Sequence, residues 1–218
     1  MRTFRAVLLA ALFLLLIVAS IGCRSQAERA AAVAEDSTPN LVLETNLGRI
    51  VMQLDRRKAP LTVEHILAHV EAGFYDSLVF HRVMRNAIIQ TGRLHATGAT
   101  RSSTAGPVPC EAHNGLTNVR GAVALARGPV VNGGAREFYI NVQDNPQFDF
   151  RDTTAAAYGY AVFGRVIEGM DVVDRIAALP TAPRYRFPNV PVTPAIILSA
   201  RVQAAPAHAA AGGRRAAT

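Results

Sequence analysis

Apolar and polar positions recur along this chain with more than one period, and each period predicts a different element. Leu41 to Thr45 and Arg49 to Asp55 are short aliphatic stretches joined by Asn46-Leu47-Gly48, where Asn and Gly tolerate positive φ. That pattern predicts a β-hairpin. From Pro60 onward Val63, Ile66, Leu67 and Val70 recur at helical spacing, with the proline suited to a first turn and Gly73 to a stop. Beyond it come short apolar runs at Leu78 to Val83, Ile88 to Gln90, Ala122 to Ala126, Glu137 to Val142, Ala161 to Val166 and Ala195 to Val202. Gly, Pro, Asn and Asp separate them, which predicts an all-β barrel or sandwich. Met170, Val173 and Ile176 share one face of a second predicted helix that begins near Gly169. No internal repeat is visible.

The patterned stretch runs only from about Leu41 to Val202, so the 218 residues, 50% hydrophobic, read as one compact domain with dissimilar ends. At the N-terminus Arg2 and Arg5 precede an uncharged apolar run from Ala6 to Ile21, the layout of a secretory signal. Ser20-Ile21-Gly22 directly before Cys23 resembles a bacterial lipobox, in which the cysteine is lipidated, although leucine is usual where Ser20 stands. An uncleaved anchor is the alternative, since the run falls little short of the ~20 residues that span a bilayer. Either reading exports the domain and ties it to a membrane. The expected organisation is a lipoprotein-type signal over 1–22, a tether over 23–39, the folded domain over 40–203 and a disordered Ala/Gly/Arg tail over 204–218.

Charge and cysteines narrow the classes further. The formal charge is +7, but Arg2, Arg5, Arg214 and Arg215 lie in the end segments, and removing these four leaves +3. No nucleic-acid partner is expected on that balance. With lipid on Cys23, Cys110 has no partner in the chain, so no disulfide framework is expected, and Cys110 reads as a small buried or semi-buried residue.

The chemistry-bearing run is Phe80-His81-Arg82-Val83, followed by Gln90. It sets an arginine among aromatics without a nucleophile or metal set beside it. A guanidinium keeps its charge and offers five donors in a fixed fork, which suits polarising an amide without moving a proton. His81 reads as structural. His65 and His69 stand four apart on the predicted helix, a spacing able to hold zinc, but no third ligand is evident and they read as helix-surface histidines. Asn132-Gly133-Gly134 lacks the lysine and following helix of a phosphate loop and reads as a turn.

Phe74-Tyr75-Asp76, Phe80-His81-Arg82-Val83, Gln90, Asn114-Gly115-Leu116, Arg120-Gly121, Leu125-Ala126-Arg127, Phe138-Tyr139-Ile140-Asn141 and Gly159 to Asp171 together resemble the cyclophilin family of peptidyl-prolyl cis-trans isomerases. The likeness extends in order over about Leu41 to Val202 and is strongest to the exported bacterial branch. It implies a mostly β fold, a closed eight-stranded antiparallel barrel capped by two α-helices, with the substrate groove on its outer face. It also implies that Arg82 is the catalytic arginine and that Gln90 helps to fix it. Ile88, Tyr139 and Phe148 match the walls of the proline pocket, while Ala126, Arg127 and Tyr160 fall at further substrate-binding positions. The implied partners are proline-containing unfolded or exported polypeptides, with no cofactor or metal. A periplasm-facing, membrane-tethered monomer is the default, with inner and outer membrane left open.

Two departures bear on activity. Ala87 stands where the family has a pocket phenylalanine, and loss of that ring removes ~1.5–3 kcal/mol of apolar contact. Glu137 replaces a groove glutamine, and its carboxylate either pairs with Arg82 in competition with substrate or orients it. These departures motivate a second expectation, a peptide-binding module or holding chaperone with weakened catalysis.

Overall fold

In the computed structural model the described residues are 38–103 and 105–203. The signal over 1–22, Cys23, nearly all of the tether and the tail over 204–218 lie outside them. Among the described residues no helix is long and apolar enough to cross a membrane.

Among the described residues ten strands and two helices follow one another. They are β1 (Asn40–Thr45), β2 (Gly48–Leu54), α1 (Pro60–Glu71), β3 (Arg82–Met84), β4 (Ile88–Thr91), β5 (Ala122–Leu125), β6 (Phe138–Asn141), β7 (Val162–Glu168), α2 (Met170–Ala177), β8 (Thr181–Arg184), β9 (Phe187–Pro191) and β10 (Ile197–Gln203). Eight form one antiparallel sheet in the order β10-β1-β2-β7-β5-β6-β4-β3. The predicted hairpin is β1-β2, with Leu41 opposite Met52 and Leu43 opposite Ile50.

The sheet curls round its core, but the expected closed barrel needs correction. Its ladder has two ends, β10 and β3. Of the apolar run Leu78 to Val83, only the last two residues enter β3. Leu78 and Val79 instead make isolated bridges, to His95 and Ile196, after a left-handed Ser77 has turned the chain. The seam is stitched locally by Phe80 N–H donating to the Ala195 carbonyl at 3.0 Å and Ile197 N–H to the Leu78 carbonyl at 2.8 Å. β8 and β9 form a separate hairpin that the sequence reading missed. Its turn residues Tyr185 and Arg186 take positive φ without being Gly or Asn, and Pro183, Pro188 and Pro191 hide the strand signal.

The core is filled from the sheet's concave face by Leu41, Leu43, Ile50, Met52, Phe138, Ile140 and Phe163, and from the helices by Val63, Ile66, Val173 and Ile176. Helix α1 starts at Pro60 as predicted and has no capping side chain of its own. Glu111, 50 residues on, supplies the cap: its carboxylate accepts from the Leu61 and Thr62 N–H groups at 3.1 and 2.8 Å, satisfying orphan donors where the helix dipole favours negative charge. His69 corrects the surface reading, since it is buried, with Nδ1 at 2.8 Å from the His65 carbonyl and Nε2 at 2.8 Å from Ser103 Oγ. Cys110 is buried beside Ala112 and Ala161.

Gly169 opens α2 at φ +87, where a Cβ would collide with the Arg49 carbonyl oxygen on β2. Gly169→Ala is therefore expected to lower the unfolding free energy by at least about 2 kcal/mol, read by chemical denaturation, because left-handed strain and a backbone clash act together.

Candidate active site

The alternation of strands β3 to β7 sorts their side chains onto two faces. Val83, Ile89, Val123, Phe138, Ile140 and Phe163 enter the core, while Ile88, Ala122, Ala124, Tyr139 and Val162 form a second apolar cluster on the other face. Arg82 and Gln90 keep the same alternation. Cross-strand register then lines up Arg82 opposite Gln90, Gln90 opposite Tyr139, Tyr139 opposite Ala124 and Ala124 opposite Val162. Five separate strands thus become one transverse row.

A cleft of about 100 Å³ opens on this row, lined by Arg82, Ile88, Gln90, Ala126, Arg127, Tyr139, Phe148 and Tyr160. Eight of the ten expected catalytic and groove residues meet there. The rings of Tyr139, Phe148 and Tyr160 contact one another edge to face, with centroids 5.3–5.8 Å apart. Phe148 reaches this wall from the short 3₁₀ turn Pro146–Phe148. Ala87 does not line the cleft. It packs at the edge of the outer apolar cluster, and its carbonyl accepts from Val142 N–H at 2.8 Å and Asn145 Nδ2 at 3.1 Å.

Arg82 donates from Nη1 to Gln90 Oε1 at 3.0 Å, and among the described residues no carboxylate pairs with it. Glu137 has other partners. Gln90 Nε2 donates to Glu137 Oε2 at 2.9 Å, Arg93 Nε donates to Oε1 at 2.7 Å, and Arg93 Nη2 closes the ion pair. His81, fully buried, places Nε2 at 3.2 Å from Oε2, outside hydrogen-bond geometry, with the Phe187 ring of β9 against its face. Burial pushes the Glu137 carboxyl up, but His81 and Arg93 outweigh it and hold the group at about 2. Glu137 therefore anchors the Gln90 amide in the orientation that offers Oε1 to Arg82. Gly92, at φ +98, lets the chain pass so close to Arg136-Glu137 that a Cβ would strike the Arg136 carbonyl.

Several positioning residues escaped the sequence reading. Arg93 carries no local sign of its partner 44 residues away. Asn118, Asn141 and Asn145 are buried behind the aromatic wall. Tyr139 Oη donates to Asn118 Oδ1 at 2.8 Å, Asn118 Nδ2 to the Phe148 carbonyl at 3.1 Å, and Asn145 Nδ2 to Asn141 Oδ1 at 2.8 Å. Burial pushes the Tyr139 phenol well above its ordinary value, so it stays a donor in this network. Asn141 carried a signal: a polar residue inside a buried strand needs a partner. Arg127 lies over the Tyr160 ring at 5.1 Å and donates to the Gly159 carbonyl at 2.8 Å, fixing the loop that carries Tyr160.

A free Glu side chain ionises near 4.5, so the folded carboxylate stabilises the protein above pH 4.5 and that contribution is lost as pH falls towards 2. It amounts to about 3 kcal/mol. Urea unfolding at pH 5 and pH 2 is expected to show Glu137→Gln losing up to about 3 kcal/mol less than wild type across that interval.

Residues 40–202 match the family model described as cyclophilin type peptidyl-prolyl cis-trans isomerase/CLD. The chain is 41% identical over 161 residues to a peptidyl-prolyl cis-trans isomerase of Acinetobacter baylyi, covering 74% of this chain and 84% of that protein. It is 42% identical over 160 residues to peptidyl-prolyl cis-trans isomerase cyp18 of Streptomyces antibioticus, covering 73% and 96%. In fold it is similar to a Cryptosporidium parvum cyclophilin type isomerase solved in the presence of the dipeptide Ala-Pro, with TM-score 0.65 and 21% identity over 76% of this chain and 99% of that one. The row of residues described above thus lies in a chain that belongs to the cyclophilin-type peptidyl-prolyl cis-trans isomerase family.

Proposed function

We infer that this chain is a peptidyl-prolyl cis-trans isomerase acting on exported polypeptides from an N-terminal membrane tether. The observation that carries the enzymatic reading is Arg82, held by Gln90 at the mouth of the aromatic cleft with its remaining donors unpaired among the described residues. At about 100 Å³ the cleft is well below the roughly 300–1,000 Å³ of sites for drug-sized ligands, and it suits one small ring such as that of proline.

Rotation about an X-Pro bond faces a barrier of roughly 18–20 kcal/mol, because the nitrogen lone pair is shared with the carbonyl, and uncatalysed it takes tens of seconds or more. In the twisted state that lone pair localises on a pyramidal nitrogen, a better acceptor than the planar amide. A guanidinium donor aimed there stabilises the twisted form more than either planar form, without covalent chemistry or proton transfer. Ile88, Tyr139 and Phe148 hold the prolyl ring while the preceding residue turns. The likeness in fold to an isomerase solved with Ala-Pro agrees with this choice of substrate.

The aromatic wall favours the enzyme over a catalytically weakened binder. Phe148, larger than the family's leucine, packs edge to face on Tyr139 and Tyr160 and completes an apolar wall for a prolyl ring without a ring at Ala87. Engagement of Glu137 by Arg93 and Gln90 removes the second reason to expect weak turnover, since the carboxylate does not occupy Arg82.

Export and tethering are supported by Arg2, Arg5, the apolar run from Ala6 to Ile21 and Cys23 after Gly22. On this reading 1–22 is removed, Cys23 carries lipid, 23–39 lifts the domain over 40–203 into the periplasm, and 204–218 trails as a tail.

Arg82→Ala is expected to reduce kcat/KM on an Ala-Pro-Phe type peptide roughly hundredfold in a protease-coupled assay, the usual effect of removing one preorganised donor. Turnover equal to wild type would sink the assignment. In cells fed labelled palmitate, wild type is expected to take up label and Cys23→Ser to take up none; an unlabelled wild type would refute lipid attachment at Cys23.

A further inference from the structure

A cavity of about 580 Å³ opens on the outer face of β2, β7 and β5 and shares no lining residue with the proline cleft. Its floor is apolar: Ala122 and Val162 belong to the outer cluster, Leu116 packs against them, and Val119 borders the floor at 47% exposed. Cations stand round it. Arg57 and Arg165 line the cavity and Lys58 follows Arg57, all three exposed. Arg165 reaches only the Gln53 amide oxygen, at 3.4 Å, and among the described residues neither Arg57 nor Lys58 has a carboxylate partner for its side chain. Arg120, also in the lining, is cancelled by Asp174. Asp55, the one acid among the lining residues, turns Oδ1 to the Arg57 and Lys58 N–H groups, both at 3.1 Å, and offsets one of the three charges. An excess of positive charge thus borders an apolar floor. The described chain also begins here, for Thr38 lines the cavity and stands 15 positions after Cys23.

We propose that this face docks on anionic phospholipid, with Arg57, Lys58 and Arg165 taking headgroup phosphates and Leu116 and Val119 meeting the acyl boundary. Basic and apolar side chains on one face are the combination that holds a protein surface at headgroup level. An acidic polypeptide would match the charge, but the place where the chain enters argues for the bilayer. A lipid on Cys23 keeps Thr38 within roughly 50 Å of the membrane even with the chain between them fully extended. The inference rests on the tethered reading for what brings the bilayer close. It adds an orientation, in which the domain is held by this face while the separately lined proline cleft stays open to passing chains.

The test is hydrogen exchange, read by mass spectrometry, of the full-length chain on vesicles of phosphatidylcholine alone or with about 30% phosphatidylglycerol, with flotation reporting attachment. Residues 55–58 and 116–121 are expected to exchange about fivefold slower on the anionic vesicles, the effect of roughly one cation held at such a leaflet. The difference should vanish at about 0.5 M salt, where screening shortens the reach of exposed charges. It should vanish too in the double variant Arg57→Glu, Arg165→Glu, whose melting temperature confirms the fold. Equal exchange on the two vesicles would overturn the proposal, as would protection that survives the double variant. So would equal protection on neutral vesicles from inorganic phosphate or from poly-glutamate, which would assign the face to a free anion or to an acidic chain. Flotation separates the two readings. A chain that floats only with anionic vesicles and is protected there refutes the anchor and keeps the docking face, whereas one that floats with both and shows no difference refutes the docking face alone. A chain that floats with neither refutes both.

Discussion

Strand register is the constraint on which the site depends. Arg82, Gln90, Tyr139, Ala124 and Val162 form a row because β3, β4, β6, β5 and β7 are paired at fixed offsets and because side chains alternate faces every residue. A slip of one residue in β6 would send Tyr139 into the core and bring Phe138 or Ile140 to the cleft. The burial of Phe138, Ile140, Ile89 and Val123 on the inner face makes such a slip costly. Packing on one side of the sheet thereby fixes the chemistry on the other.

Electrostatics builds on that frame by division of labour. One carboxylate, Glu137, sits 12% exposed among an arginine, an imidazole and an amide, and none of them is Arg82. Gln90 stands between the two charged groups and passes orientation without passing charge, since its amide donates to Glu137 and accepts from Arg82. The guanidinium thus keeps its charge for the substrate while its position is set from behind. The buried asparagines do the same for the aromatic wall, tying Tyr139 to the turn that carries Phe148.

Much of this was legible in the sequence because it is written in local periods and ordered motifs. The hairpin at Asn46, the helix from Pro60 and the meeting of Arg82, Gln90, Ile88, Tyr139, Phe148 and Tyr160 all follow from residues whose local pattern or family order is distinctive. What was not legible depends on contacts between distant segments. Glu111 capping α1, Arg93 engaging Glu137 and Asn118 holding Tyr139 each join residues more than 20 apart. The hairpin β8-β9 failed for a local reason, since Tyr185 and Arg186 adopt a turn that residue statistics assign to Gly and Asn. The open seam was hidden because an apolar run such as Leu78 to Val83 looks the same whether it joins a regular ladder or makes isolated bridges.

That seam separates two properties usually measured as one. β3, the three-residue strand bearing Arg82, ends the ladder, whereas β1 and β2 are each paired on both sides through six- and seven-residue strands. Global unfolding is governed by the long central pairings, while Arg82 owes its placement to one short neighbour and a relay of side chains. Loosening at Arg82 can therefore abolish function in a protein whose melting curve has not moved, and a thermal screen of variants would pass many that no longer hold the guanidinium in place.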